Sequence, residues 1–315
     1  MISTITLPPA LDHYVETEDL RVDDATRVEA ERLFAGGKGI DVSRAIRHLG
    51  GDSMALGFMG GPNGDILVHM RKSEGVTPYC TPISQETRRD VIISNVRRDT
   101  QTILNARGPS ITPDEWASVL THLHMLDLRG AFVVLSGSLP RGLSHRAYGQ
   151  IISLVQRRGA KVILDADGRA LRAGLKAKPF PVTPNLNELR RVPGRRLRAE
   201  GQILSAARAL NRAGVKIVLV SLGRKGLLMV TRSKRLRAIP PSVMVRSTVG
   251  TGDSTVAGFV FMYAAGKTFE ECVRWATAAG TAATLAPGNP LCRLRDVQRL
   301  VPRTRVEKIG AEAGR

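Results

Sequence analysis

The sequence predicts an α/β fold: a doubly wound, mainly parallel sheet with helices on both faces, plus a small β-sheet acting as a lid. Two patterns predict it. Short runs of continuous apolar residues alternate with longer amphipathic segments, and a strand that is apolar throughout is one buried on both faces, as in a helix-covered parallel sheet. Two stretches, within about 13–34 and 88–106, break that alternation and read as strands of a separate sheet. Edge hairpins on the main sheet are the alternative for both.

In chain order, Ile2–Leu7 reads as the first strand, Val42–Leu49 as a helix, Ser53–Met59 as the next strand and Ile66–Glu74 as a helix. Ala131–Ser136 is a buried strand, Tyr148–Arg157 a helix and Lys161–Asp165 another strand. Leu204–Ala213 is helical, Ile217–Ser221 is a strand, and Thr255–Ala265 and Phe269–Leu285 are helices. No internal repeat or low-complexity tract interrupts the series, so residues 1–315 are expected to form one domain with its lid.

Composition narrows the function. At 315 residues with 43% hydrophobic and 4% aromatic content, the chain can bury a large aliphatic core. The formal net charge of +19 makes nucleic acid the first partner to consider. The charge is dispersed, however, in patches such as Arg190, Arg191, Arg195, Arg196 and Arg198, and Arg232, Lys234, Arg235 and Arg237. Zinc-finger spacing, an aromatic RNA-binding strand and a basic tail are all missing, so nucleic-acid binding is not expected as the main role. A basic surface also steers small anions such as ATP and sugar phosphates. Cys80, Cys272 and Cys292 are far apart and lack metal spacing, which suits a reducing, cytoplasmic setting. The N-terminus does not read as a signal peptide, and no window of about 18 apolar residues predicts a membrane span.

Three constellations carry chemistry. Ser247-Thr248-Val249-Gly250-Thr251-Gly252-Asp253-Ser254 runs into an apolar helix. Its glycines let backbone N–H groups turn toward a ligand, and the helix behind adds a positive dipole end, an arrangement suited to phosphate. Asp253 serves either as a helix cap or as a base for a substrate hydroxyl. Ala35-Gly36-Gly37-Lys38-Gly39-Ile40-Asp41-Val42-Ser43-Arg44 is a second glycine turn entering a helix, without the spacing of a P-loop or a dinucleotide fingerprint. In Thr183-Pro184-Asn185-Leu186-Asn187-Glu188-Leu189, Asn185 and Glu188 share a face if a helical turn starts there. They could hold Mg²⁺ and phosphate, or form a helix cap.

Together these blocks resemble the PfkB carbohydrate kinases of the ribokinase-like superfamily. GGKGIDVSRAIRHLGG is similar to that family's first signature and STVGTGDSTVAGF to its second; LSGSLPRG, TPNLNEL, VLVSLGRKGLL and GTAATLAPGNPLC follow in the family's order, from about Ile5 to Leu300. The phosphofructokinase and tagatose-6-phosphate kinase branch is the most similar. The resemblance implies a ribokinase-like, Rossmann-type fold with a β-sheet lid, and ATP-dependent phosphorylation of a hexose phosphate. It points to fructose 6-phosphate, with 1-phosphofructokinase, tagatose-6-phosphate kinase and a non-catalytic sugar-phosphate-binding regulator as alternatives. It implies Asp253 as base with Gly250, Thr251 and Gly252 as anion hole. Asp12, Gly37, Lys38, Asp41 and Ser138 would bind the sugar, with Arg27 and Arg88 on its distal phosphate. Asn185 and Glu188 would serve Mg²⁺ and phosphate, and Ser221, Gly223, Gly226 and Asn289 would line the ATP site. The expected partners are therefore a sugar phosphate, ATP and Mg²⁺, without a membrane. Exposed lid edges would invite a homodimer.

Four positions depart from the family pattern. Asp41 stands for the usual Asn, Thr251 for Ala, Thr183 for a frequent Lys, and Pro8 for Asn. Asp41 brings a negative charge that only accepts hydrogen bonds, and Thr251 brings a branched side chain to the anion hole.

Overall fold

The computed structural model describes residues 1–192, 197, 199–286 and 291–310. The chain starts with β1 (Ile2–Thr6) and leaves the main sheet for β2 (Ala10–Thr17) and β3 (Ala30–Gly36). It returns through α1 (Lys38–His48), β4 (Met54–Met59), α2 (Gly61–Ser73) and β5 (Thr77–Pro82). A second excursion, β6 (Arg88–Asn95) and β7 (Thr100–Leu104), leads to α3 (Pro113–Met125). Then come β8 (Phe132–Ser136), α4 (Ala147–Arg157), β9 (Lys161–Asp165), α5 (Gly168–Leu175), β10 (Pro181–Val182), α6 (Leu186–Arg191), α7 (Glu200–Arg212) and β11 (Ile217–Ser221). The last part holds β12 (Leu227–Val230), β13 (Arg235–Ile239), α8 (Thr251–Ala264), α9 (Phe269–Ala282), α10 (Leu294–Leu300) and β14 (Arg305–Lys308).

The main sheet has ten strands in the order β14-β13-β12-β11-β10-β9-β8-β1-β4-β5. It is parallel from β11 to β5, and β12, β13 and β14 extend it antiparallel. Strands at its centre are apolar on both sides because successive side chains point to opposite faces. Leu135, Val162 and Leu164 join the core under α3, α4, α5 and α7. Val134 and Ile163 join the core under α1, α8 and α9. From β1 the chain moves to β4 and β5 on one side, whereas β8, β9 and β10 build outward on the other. The reversal opens a crevice at the carboxyl ends of β1 and β8, where doubly wound folds bind their ligands.

A four-stranded sheet, β3-β2-β6-β7, is separate from the main one, with β2 parallel to β6. β2 follows the carboxyl end of β1, and α1 starts where β3 ends, so this sheet stands beside the crevice. Leu11 and Ala35 pack on Ile40, Met59 and Leu67. β2 and β3 begin and end slightly outside the expected 13–34, which puts Asp12 on the lid itself, whereas β6 and β7 fall within 88–106.

Two helices start a turn earlier than the apolar period predicts: α1 at Lys38 rather than near Val42, and α8 at Thr251 rather than Thr255. Lys38 and Asp41 in one first turn, and Thr251 and Asp253 in the other, interrupt the apolar period there, although Ile40 packs into the core. Helix α9 ends at Ala282, and Ala283–Leu285 tightens into a 3₁₀ turn. Among the described residues, no helix is long and apolar enough to cross a membrane, and the three cysteines are free.

Candidate active site

Helix α8 is preceded by Gly250 as its N-cap, whose φ of 73° is left-handed and therefore favours glycine. The turn exposes the first N–H groups of the helix, which have no intrahelical partner. A Cβ on Gly252 would meet nothing within 4 Å, so open space lies before this turn. Asp253, in the same turn, is buried. Burial, followed by the charges of Asp41 and Asp165, pushes its carboxyl well above the usual range, while Lys38 opposes the shift. Thr251 does not crowd the turn: its hydroxyl donates to the Thr248 carbonyl at 2.9 Å.

Lys38, in the first turn of α1, reaches across the crevice. Its Nζ lies 3.4 Å from Asp165 Oδ2. Asp165 chiefly, and then Asp253 and Glu188, hold its pKa above the ordinary lysine value. Asp165 is itself oriented by two hydroxyl donors, Ser136 at 2.8 Å and Thr183 at 3.2 Å. Thr183, which stands where the family often has Lys, is thus part of the carboxylate's support. Neither Asp165 nor Ser136 was singled out from the sequence. Their signal was positional, since both sit at the carboxyl ends of adjacent strands.

The lid side holds a second group of charges. Asp12 lies over Gly36, where an added Cβ would come within 2.3 Å of its carboxylate. Burial, then Asp41 and Asp90, raise the Asp12 carboxyl to about 7. Asp41 is buried and rises to about 6, chiefly through burial, with Arg44 opposing. Arg44 Nη1 donates to Asp41 at 3.1 Å, and the same guanidinium grips Glu74 at 2.5 and 3.1 Å. The extra negative charge of Asp41 is therefore answered inside the protein. Arg88 lies beside this group, 3.2 Å from Asp90 and donating to the Ala106 carbonyl at 3.2 Å. Its buried Nε has no hydrogen-bond partner among the described residues.

Several expected residues are placed elsewhere or differently. Arg27 is exposed in the β2–β3 loop, its carbonyl tied to Thr17 at 3.1 Å. Five residues of strand separate Thr17 from Asp12, about 17 Å, so Arg27 does not join the sugar-side cluster within one chain. Asn185 and Glu188 form a reciprocal capping box on α6: Asn185 Oδ1 accepts the N–H groups of Asn187 and Glu188 at 2.9 Å each, and Glu188 Oε2 accepts the Asn185 N–H at 2.9 Å. Both lone pairs of the amide oxygen are used, which corrects the expectation of Asn185 as a metal ligand and leaves Glu188 with one free carboxylate oxygen. Gly226 is buried with φ 91°, and a Cβ there would come within 1.9 Å of the Ala238 carbonyl, so the close approach to β13 by itself requires glycine. Gly223 is exposed and Ser221 half-buried at the end of β11. The turn carrying Ser138 lies near Lys38, and the Tyr148 hydroxyl is 3.0 Å from the carbonyls of Gly137 and Ser138. Gly37 caps α1. Asn289, Arg195, Arg196 and Arg198 lie outside the described residues.

Among the described residues, no three His, Cys, Asp or Glu side chains gather closely enough to hold a metal alone. Asp165 and Glu188 nevertheless offer hard oxygen donors on one side of the crevice. Mg²⁺ is commonly bound by one or two carboxylates together with substrate phosphates, so this pair fits a metal that arrives with a nucleotide.

A doubly wound sheet with a lid beside its crevice, and an open helix start next to a buried aspartate, form the frame of an ATP-dependent sugar kinase. Comparison with known proteins agrees. The family model "pfkB family carbohydrate kinase" matches residues 9–293, and the chain belongs to that family. It is 33% identical over 311 residues to a 1-phosphofructokinase of Borreliella burgdorferi, covering 98% of this chain and 99% of that protein. It is 35% identical over 301 residues to ATP-dependent 6-phosphofructokinase isozyme 2 of Escherichia coli, covering 95% and 97%. The crystal structure of Escherichia coli phosphofructokinase-2 in complex with potassium superimposes with a TM-score of 0.93 at 34% identity, covering 96% of this chain and 98% of that one. The protein is a phosphofructokinase-type sugar kinase.

Proposed function

We propose that the enzyme transfers the γ-phosphate of ATP to the primary hydroxyl of fructose 6-phosphate. The observation that carries this reading is the juxtaposition, at the start of α8, of open N–H groups and the buried carboxyl of Asp253. Asp253 accepts the proton of the sugar hydroxyl as that oxygen attacks the γ-phosphorus in line, and ADP departs. Its raised pKa suits a group that must take a proton from an alcohol. The N–H groups of Thr251 and Gly252 receive charge building on the equatorial oxygens. Lys38 balances the carboxylates around the reacting atoms. Mg²⁺, with Asp165 and Glu188 as the residues that would hold it, would neutralise the β- and γ-phosphates of ATP. Asp12 and Asp41 accept hydrogen bonds from sugar hydroxyls, and the Arg88 guanidinium beside them is the cation offered to the distal phosphate. Escherichia coli phosphofructokinase-2, a structural relative with a TM-score of 0.91, has been solved in complex with fructose-6-phosphate, which supports the choice of substrate.

A panel of fructose 6-phosphate, fructose 1-phosphate, tagatose 6-phosphate, ribose and adenosine, each with ATP and Mg²⁺, tests the reading. The highest kcat/KM is expected with fructose 6-phosphate; preference for fructose 1-phosphate or tagatose 6-phosphate would replace the substrate while keeping the chemistry. Asp253→Asn is expected to lower kcat by about 10²–10⁴-fold, and unchanged turnover would remove it from the base role.

We also propose that the lid pairs two copies. Every residue of β7 is exposed, including Ile103 and Leu104, and Leu33 is 39% exposed on β3. An uncovered edge with apolar side chains is one that native proteins ordinarily cover.

A further inference from the structure

Outside the crevice, a groove of about 1160 Å³ lies between α3, α4 and α5. These helices turn Leu123, Ile151 and Leu171 inward to the core. Their outer sides leave an apolar floor of Leu120, Leu154, Ala173 and Ala177, all half-buried. Arg146, Arg157, Arg169 and Lys176 line the same groove, all exposed. No Asp or Glu lines it. Among the described residues, none of these four cations has an ion pair or a side-chain hydrogen bond. Arg172 differs, donating to the Arg191 carbonyl at 3.2 Å. Four uncompensated cations around an apolar floor are not needed by the phosphoryl-transfer chemistry, and they gather part of the +19 charge in one place.

The groove exceeds the roughly 300–1,000 Å³ of ordinary small-molecule pockets. It follows α4, whose 11 residues span about 17 Å, or three helical turns. No Phe, Tyr or Trp lines it, so it lacks the stacking platform on which single-stranded nucleic acid lies. Its leucine and alanine floor is also an apolar surface that a sugar–phosphate backbone covers poorly. An amphipathic helix answers both features, with an apolar stripe on the floor and carboxylates toward the four cations. We propose that this groove docks an acidic amphipathic helix of a partner protein, away from the catalytic crevice.

The probe is a fluorescein-labelled peptide of roughly 15 residues, with Leu at i, i+3, i+4 and i+7 and Glu at most other positions, titrated with the full chain by anisotropy. Saturable binding is expected that weakens with salt, and that falls at least about tenfold in Arg157→Glu/Arg169→Glu. Leu154→Asp should weaken it similarly, with circular dichroism and melting temperature reporting that each variant is folded. A scrambled peptide of equal composition should bind at least about tenfold more weakly. Binding unchanged by the charge reversals would overturn the proposal. So would scrambled peptide binding equally well, or a single-stranded oligonucleotide of similar length binding more tightly and losing that affinity in the same variants.

Discussion

Asp41 puts a carboxylate where the family has an amide, and the side chain that makes this tolerable is Arg44. One guanidinium joins Asp41 to Glu74, and both Arg44 and Asp41 are nearly inaccessible, at 8% and 9% side-chain exposure. Removing one partner of such a buried group strands the other charge, so Arg44→Met should destabilise by about 3–5 kcal/mol in urea unfolding. Asp41→Asn, which keeps the shape and deletes the charge, should cost far less. Asp12 gives a prediction with a definite sign. Its carboxyl stands at about 7 in the fold against an ordinary 3.8, so between those values the folded state holds a proton the unfolded chain has released. The stability this contributes is complete below 3.8 and is lost as pH rises through about 7. Asp12→Asn should therefore raise the melting temperature at pH 8 by at least about 2 °C, with the gain vanishing near pH 4, while weakening sugar binding. A carboxylate kept at a stability cost is the mark of a functional residue.

Helix α8 shows the same conflict at the scale of an element. Its first turn ends in open space at Gly252, a position with no packing reason to remain glycine. Alanine is the better helix former by about 1 kcal/mol, so Gly252→Ala should leave stability equal or higher. The added methyl would occupy the space before the N–H groups, and kcat should fall by about tenfold or more. Stability and turnover moving in opposite directions separates a ligand-facing turn from a structural one. At α6 the expectation is split between residues. Asn185→Ala removes the cap and should cost about 0.5–2 kcal/mol. Glu188→Gln keeps a capping acceptor on the side chain, yet should raise the Mg²⁺ concentration needed for half-maximal rate.

Across the whole molecule, the lid and the crevice are assembled from distant parts of the chain. Asp12 arrives on β2, Arg88 on β6, Lys38 on α1 and Asp253 on α8. The lid's fully exposed β7 leaves this assembly open at one edge. Ile103→Glu/Leu104→Glu should halve the particle mass measured by light scattering if that edge is where two copies meet, while unfolding of the main domain changes little. An unchanged mass would move the contact elsewhere.

The sheet-and-helix alternation, the separate lid and the two glycine turns were readable from the order of amino acids, because apolar runs and glycine placement are local features. The strands Lys161–Asp165 and Ile217–Ser221 were legible to the residue, because each carries an unbroken apolar run, is buried over four of its five positions and is sharply bounded. What that order could not give was distance between residues far apart in the chain. Only the tertiary structure brought Asp165 under Lys38, 127 positions away, and tied Arg44 to Glu74 across 30. It also turned Asn185 into a cap, buried Gly226 against β13 and carried Arg27 to the far end of the lid. The difference is physical. Secondary structure follows from the period of side chains along one segment, whereas the charge environment of a carboxylate is set by whichever groups folding places within a few ångströms of it.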